Sequence, residues 1–439
     1  MPVRRTAAVV AVALATFASG PVALAEPATP PATEPVEVAA GWLARQLVDG
    51  DHFEGVFDGR TFPDQGLTLD AGFAFTAAGV ARDRVDAAAG WLARPEVISN
   101  YLYYDDPEKA SFAGPHAKLA LFAQVIGEDP EDFGGVDLLA GLTALKSASG
   151  RFSDRSEFGD LSNGFSQAFA VLALDRAGGA PADAVDYLVG GRCADGGFPL
   201  VLEADTCESH VDATAMAAQA LLATGRAADA TGALDWLVSA QRPGGGFRDE
   251  DAAEGNANST GLAAQALRAG GRTSAADRAV AFLRSLQVGC GGPEAQRGAI
   301  AFDRTGFAAS NATRATSQGV LGLVGVGFAE LSAEGDRPGA PALDCTDVPT
   351  SSTTTTTTTT TATSTSDSAT STTAPTTTSV GGTATTTANV VVVAGSGTGL
   401  ANTGASVGPA LWVGSLALLG GALLLVLSRR RHVPAEERG

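Results

Sequence analysis

The chain has 439 residues, and 48 acidic against 29 basic side chains give it a formal net charge of −19. The charge is concentrated in residues 26–348, which hold 45 acids and 23 bases, a net of −22. A surface this acidic repels phosphate backbones, which argues against a nucleic-acid partner.

The N-terminus reads Met1-Pro2-Val3-Arg4-Arg5, then an apolar run that closes on Ala23-Leu24-Ala25. A charged start, an apolar centre and small residues at −3 and −1 predict a secretory signal peptide over 1–25. The competing reading is an N-terminal membrane anchor. The Pro-rich segment after Ala25 counts against it.

Residues 26–348 form the globular region, and most of it repeats. A small or apolar residue stands three before an aromatic or Leu, itself usually followed by Leu. The sites are Ala39…Trp42-Leu43, Ala88…Trp91-Leu92, Leu139…Leu142, Ala184…Tyr187-Leu188, Ala233…Trp236-Leu237 and Ala279…Phe282-Leu283. Apolar residues at i, i+3 and i+4 mark one face of a helix. Gly-rich turns ending in Phe follow several of these helices: Gly150-Arg151-Phe152, Gly196-Gly197-Phe198 and Gly245-Gly246-Phe247. A second, Ala-rich helix then begins. Four of these carry Asp or Asn, then Ser or Thr two on, then Gln: Asp160-Ser162-Gln167, Asp212-Thr214-Gln219, Asn258-Thr260-Gln265 and Asn311-Thr313-Gln318. The first two units are degenerate, offering Thr68 with Asp70, and His116 before Ala117–Ile126.

The period predicts six helix–turn–helix units, twelve helices in all, stacked or closed into an array. The second helices are poorer in charge and are expected to be buried on both sides as an inner layer. The Trp-bearing helices are expected outside.

Trp236-Leu237-Val238-Ser239-Ala240-Gln241 followed by Gly244-Gly245-Gly246-Phe247 resembles the repeat of the squalene cyclase and protein prenyltransferase β-subunit superfamily, as does Phe282–Gln287. The resemblance covers about 36–330. It implies an all-α fold, an α6/α6 toroid around a central cavity. Secreted vitamin B12 carriers use the same toroid, but they close the site with a second domain, and here a Thr-rich segment starts where that domain would follow.

Squalene-cyclase catalysis would imply general-acid work by an Asp-x-Asp-Asp motif, which this sequence lacks; the nearest acidic run is Asp249-Glu250-Asp251. Asp105-Asp106-Pro107-Glu108 reads as a turn, because Pro breaks the helix a metal–diphosphate motif needs. Prenyltransferases hold zinc through an Asp-x-Cys pair and a distant His. Asp205-Thr206-Cys207 with His210 fits part of that set, but a thiol outside the cell is better read as disulfide-bonded. No cofactor, metal or catalytic residue is therefore expected. Cys193, Cys207, Cys290 and Cys345 allow three pairings; the expected pairs are Cys193–Cys207 and Cys290–Cys345.

The Asp/Asn-x-Ser/Thr sets have two readings. They cap the inner helices, or, with those helices parallel, they form a polar ring at one mouth of the toroid where a ligand binds. The candidate mouth residues are Thr68, Asp70, His116, Ser162, Asp212, Thr214, Asn258, Thr260, Asn311 and Thr313. The glutamines are expected to bond between helices.

Residues 349–399 are a Ser/Thr-rich stalk with nine consecutive threonines from Thr353 to Thr361. Such a segment cannot build a core. About 50 residues at roughly 3.1–3.3 Å each reach on the order of 160 Å. Leu400-Ala401-Asn402-Thr403-Gly404 then precedes an apolar span within 405–428 and a basic tail at 429–439 that includes Arg429-Arg430-Arg431. The span is just long enough for a bilayer, and the Arg cluster stays cytoplasmic. This layout resembles a sortase sorting signal of the Leu-Ala-x-Thr-Gly kind. The resemblance implies cleavage after Thr403 and transfer to peptidoglycan, with sortase and peptidoglycan as partners; the competing reading is an unprocessed membrane anchor.

The expected protein is an extracellular, wall-anchored, non-catalytic toroid binding a small ligand, including a lipid-like one, in its central cavity. The rivals are a terpenoid cyclase- or prenyltransferase-related enzyme and a surface adhesion or scaffold protein with a protein partner. An acidic dyad in the cavity would favour the enzyme, and a plugged centre the scaffold.

Overall fold

The computed structural model describes residues 34–57, 59–248 and 255–346. The expected signal peptide, the Asp249-Glu250-Asp251 run, the stalk, the sorting motif Leu400–Gly404, the apolar span and the basic tail lie outside the described residues. Among the described residues no helix is long and apolar enough to cross a membrane.

In chain order the elements are α1 (Pro35–Ala44), β1 (Glu54–Phe57), β2 (Arg60–Pro63), α2 (Gln65–Ala78), α3 (Arg82–Leu92), α4 (Pro95–Tyr103), β3 (Ala110–Ser111), α5 (Ala113–Ile126), α6 (Leu138–Thr143), β4 (Arg155–Ser156), α7 (Gly164–Arg176), α8 (Ala182–Gly190), α9 (Val211–Ala223), α10 (Ala227–Ala240), α11 (Ala257–Ala269), α12 (Thr273–Leu286) and α13 (Ala309–Val324). The described residues thus form thirteen α-helices with little sheet. The repeat predicts twelve. The additional one is α4, opened by Pro95 at its first turn, where a missing N–H does no harm, and ended by Tyr104 at φ 53. Two antiparallel pairs, β1–β2 and β3–β4, also lie outside the all-helical expectation.

Six helices pack in cyclic order: α2 touches α5, then α7, α9, α11 and α13 follow, and α13 returns to α2. Several contacts match level for level. Asp70 meets Lys118, Phe73 meets Phe122, Gln124 bonds to Ala173, and Gly164 faces Ala213. So α2, α5, α7 and α9 run in one direction. Small side chains let these backbones approach, and burial is nearly complete, as over Gln65–Thr76 in α2 and Val211–Leu221 in α9. The outer helices α3, α8, α10 and α12 are one-sided, whereas α1 is buried along the whole run Val38–Ala44. Helix α12 buries Ala275, Ala276, Ala279, Phe282, Leu283 and Leu286 and leaves its charged face to water.

The Gly-rich turns weld the two layers. Gly150 (φ 90) and Gly245 (φ 88) adopt left-handed backbone, and a Cβ at either would collide with a main-chain carbonyl of the next outer helix, Asp183 or Arg278. Only glycine meets both requirements.

After α13 the chain turns at Gly325 (φ 73) and crosses the C-terminal end of this ring. Phe328 is fully buried, with ring centroids 5.2 Å from Phe73 and 5.6 Å from Phe169. The Gln265 amide donates to the Val326 carbonyl (2.8 Å), and the Phe328 N–H donates to Gln219 Oε1 (3.2 Å). Arg176 donates to the carbonyls of Phe328 (3.2 Å) and Ala329 (2.6 Å). The strap continues past Val125, which accepts the Ala333 N–H, to Ala340 and Pro341, whose carbonyls accept from Arg45. It ends at the Cys290–Cys345 disulfide. Cys193 pairs with Cys207, so both bridges are the expected ones.

Candidate functional site

The repeated threonines do not cap their own helices. The Thr214 hydroxyl accepts the Phe198 N–H (2.8 Å) and donates back to the Phe198 carbonyl; Thr260 treats Phe247 the same way. Thr68 accepts from the Phe53 N–H (3.0 Å), and Gln167 Oε1 takes the Phe152 N–H (3.0 Å). All four side chains are buried. Helices α2, α7, α9 and α11 use this position to catch the turn that precedes them. The side-chain caps are other residues: Asp64 on α2, Asn163 on α7, His210 on α9 and Asn256 on α11.

The last unit shows an offset. Its clamp is Thr316, which accepts the Ile300 N–H (2.9 Å), and not Thr313. Asn311-x-Thr313 imitates the pattern one turn too early because α13 starts earlier than its counterparts. Thr313 and Asn311 are half-buried, and Asn311 Oδ1 has no hydrogen-bond partner; the same holds for Asn258 Oδ1. Ser162 precedes α7 and accepts from Arg151 (3.4 Å). Asp212 is the second residue of α9 and is buried.

The structure brings one of the expected mouth residues into a charge cluster. Asp70 Oδ1 is 2.6 Å from Lys118 Nζ, with both side chains out of contact with water. Lys118 also donates to the Gly66 carbonyl (2.9 Å). Arg314 reaches from α13 to Asp64 (2.9 Å) and lies 3.7 Å from Asp70 Oδ2. Tyr101 on α4 buries a hydroxyl with no hydrogen-bond partner. Burial first, then the charges of Asp70 and Asp64, hold its ionisation well above the usual range. The cluster thus joins α13, α2 and α5 at the N-terminal level of the ring.

His116 serves a different purpose. Its Nδ1 faces the Phe112 carbonyl (2.8 Å) and its Nε2 the Tyr103 hydroxyl (3.3 Å). Burial pushes it down to about 4, so it is neutral at physiological pH. Asp154 receives the Ala113 N–H at the start of α5 (2.7 Å), and burial pushes it up to about 6.

At the C-terminal level the interior is aromatic. Phe73, Phe122, Phe169 and Phe328 pack edge to face there and are fully buried. The partial zinc set is dismantled: Cys207 is a disulfide sulfur and His210 caps α9. No group of three or more metal-ligating side chains stands together among the described residues.

Sequence reasoning missed Lys118, Arg314, Tyr101 and Phe328. Lys118 carried a usable signal, as the one charged residue inside the apolar stretch Ala113–Ile126. Phe328 carried none, since it follows the last periodic helix.

No protein-family model matches the chain, and no curated protein matches it. Solved structures do. A variant of the type II terpene cyclase MstE from Scytonema, in complex with geranylgeranyl dihydroxybenzoate, has a TM-score of 0.51 at 15% identity, covering 68% of this chain and 97% of that one. Substrate-free MstE gives 0.50 at 15% identity, over 66% and 96%. A protein from Actinoplanes gives 0.51 at 16% identity, over 66% and 98%. At such identities the likeness establishes the fold, a terpenoid cyclase-like toroid. The cyclase neighbours are consistent with the enzyme alternative raised by the sequence, and none of them speaks for a cell-surface, non-catalytic role.

Proposed function

We propose that the chain is a toroid of six helix pairs that uses the cyclase-like fold as a surface scaffold without the cyclase reaction. The observation that carries this reading is Phe328. The chain's own strap occupies the aromatic end of the ring and is fastened there by Gln219, Gln265 and Arg176. The buried Asp70 is tied to Lys118 at 2.6 Å and turned to a helix of its own ring. The cyclic contact order and the 45–51-residue spacing support six units. The net charge of −22 over residues 26–348 suits a cationic protein partner. The targeting sequences support secretion and sortase attachment to the wall; Thr403→Ala is expected to move the protein from the wall fraction to the membrane fraction.

A terpenoid cyclase-related enzyme is the second reading, favoured by the substrate-bound neighbour. One experiment separates the two. Purified protein is incubated with geranylgeranyl dihydroxybenzoate, then followed by native mass spectrometry and product chromatography. The scaffold reading expects neither a complex nor conversion. A cyclised product would overturn it in favour of the enzyme, and a stoichiometric complex without turnover would restore the ligand carrier.

A further inference from the structure

The ring holds a lysine with no exposure to water, and its counter-ion is equally buried on the neighbouring helix. Lys118 and Asp70 are 0% and 1% exposed, and Nζ to Oδ1 is 2.6 Å. Both side chains leave the N-terminal half of long, almost fully buried helices, one turn before the Phe73–Phe122 contact. The second carboxylate oxygen, Oδ2, accepts no hydrogen bond. The Arg314 guanidinium stands 3.7 Å from it.

In water an ammonium and a carboxylate do not condense, because hydration stabilises both ions and the two ends drift apart. Neither condition holds here. The hydration has already been lost on folding, so two charges persist in a place that disfavours each of them. The helices hold the ammonium and the carboxylate against each other, with Nζ 2.6 Å from Oδ1, and such fixed pairs are where effective molarities become very large. An amide at the same place would carry no charge, and its formation would expel one water.

We propose that Lys118 and Asp70 condense to an intramolecular amide that ties α5 covalently to α2. Asp70 Oδ1 first takes a proton from the ammonium along the 2.6 Å contact. The free amine attacks Cγ, and negative charge gathers on Oδ2, which Arg314 faces. A second proton passes from nitrogen to Oδ1, the Cγ–Oδ1 bond breaks as the Nζ–Cγ bond is completed, and water leaves. Of the three ammonium hydrogens one stays on the amide and two depart with the oxygen. The positive and negative charges cancel, and nothing is oxidised or reduced. The amide needs no reagent beyond the two side chains, and it is independent of whether the toroid is a scaffold or an enzyme.

The test is the intact mass of the full purified chain with both disulfides reduced. The expected mass is one water below that of the sequence with the same termini. Peptide mapping is expected to find a branched peptide joining the segments of Asp70 and Lys118. Acylation of amines in denaturant is expected to label Lys109 and Lys146 and to spare Lys118. Lys118→Arg keeps a cation beside Asp70 and is expected to restore the full mass. A full-mass wild type with Lys118 acylated overturns the proposal, and so does a water loss mapped elsewhere. The wild-type protein alone decides, so the outcome does not depend on any variant folding.

Discussion

The two ends of the inner ring are built from opposite materials. At the N-terminal level α13, α2 and α5 meet through Arg314, Asp64, Asp70 and Lys118. At the C-terminal level the ring meets the strap through phenylalanines and main-chain hydrogen bonds. Charges that cannot reach water are all-or-none contacts, since removing one partner strands the other. Aromatic contacts lose stability in proportion to the volume removed. The charged end therefore specifies which helices are neighbours, and the aromatic end closes the ring without demanding a single geometry.

The sharpest way to break that contrast is Lys118→Met. It leaves Asp70 buried without its ammonium and is expected to lower stability by about 3–5 kcal/mol. The reading is a fall in the urea midpoint, with a steeper slope because the unfolded variant lacks the amide crosslink. Adding Asp70→Asn removes the stranded charge and should recover that share of the loss, while the share due to the missing amide remains. A double variant no more stable than the single one would mean that the stranded charge contributes nothing. Phe328→Ala comes next, with about 3 kcal/mol lost. Here the loss should be local, with hydrogen exchange rising at Phe328 and Ala333 while the α2–α5 amides stay protected.

A smaller effect tests the clamp. Thr316→Val leaves the buried Ile300 N–H without an acceptor and is expected to lose about 1–3 kcal/mol. Thr313→Val should stay within about 0.5 kcal/mol. Equal effects would return the clamp to Thr313.

The smallest effect is a slope with pH. His116 is depressed to about 4 by burial, so its contribution is present above its unfolded value near 6.5 and is lost as pH falls toward 4. Asp154 and Asp336 are raised to about 6 by burial, so theirs is present below pH 3.8 and is lost as pH rises through 6. Two falling contributions against one rising one should make the wild type less stable at pH 6 than at pH 4. In the Asp154→Asn, Asp336→Asn variant the sign should reverse, with the melting temperature rising over the same interval. An unchanged slope would remove these carboxyls from the account.

The layers of the fold were legible because burial on two sides forces small apolar residues into one helix and amphipathic spacing into the next. Trp236-Leu237 and Gly245-Gly246-Phe247 announce an outer helix and its turn without any structure. Both disulfides were legible from compartment and spacing. The clamp was half legible: Thr214 and Thr260 were singled out for the wrong partner, because a Ser or Thr near a helix start looks like a cap whether it bonds forward or back. Thr316 was lost to an early start of α13. Lys118 and Phe328 depend on which helices become neighbours and where the chain goes after the last one. Neither is a property of local sequence.

The bridge between Cys290 and Cys345 has a mechanical consequence. The strap from Val326 to Asp344 lies wholly inside the loop that this bridge closes, 55 residues apart along the chain. A pull applied from residue 346 onward meets Cys345 first and is passed through sulfur to Cys290, beyond the end of α12. The load therefore bypasses α13, the Phe328 plug and the carbonyls held by Arg45 and Arg176. With the disulfide intact, tension must unravel the ring elsewhere before it can draw the plug. With it reduced, the same tension would peel Pro341, Ala340 and Arg337 in turn, like a zip opened from its stitched end, and would reach Phe328 last.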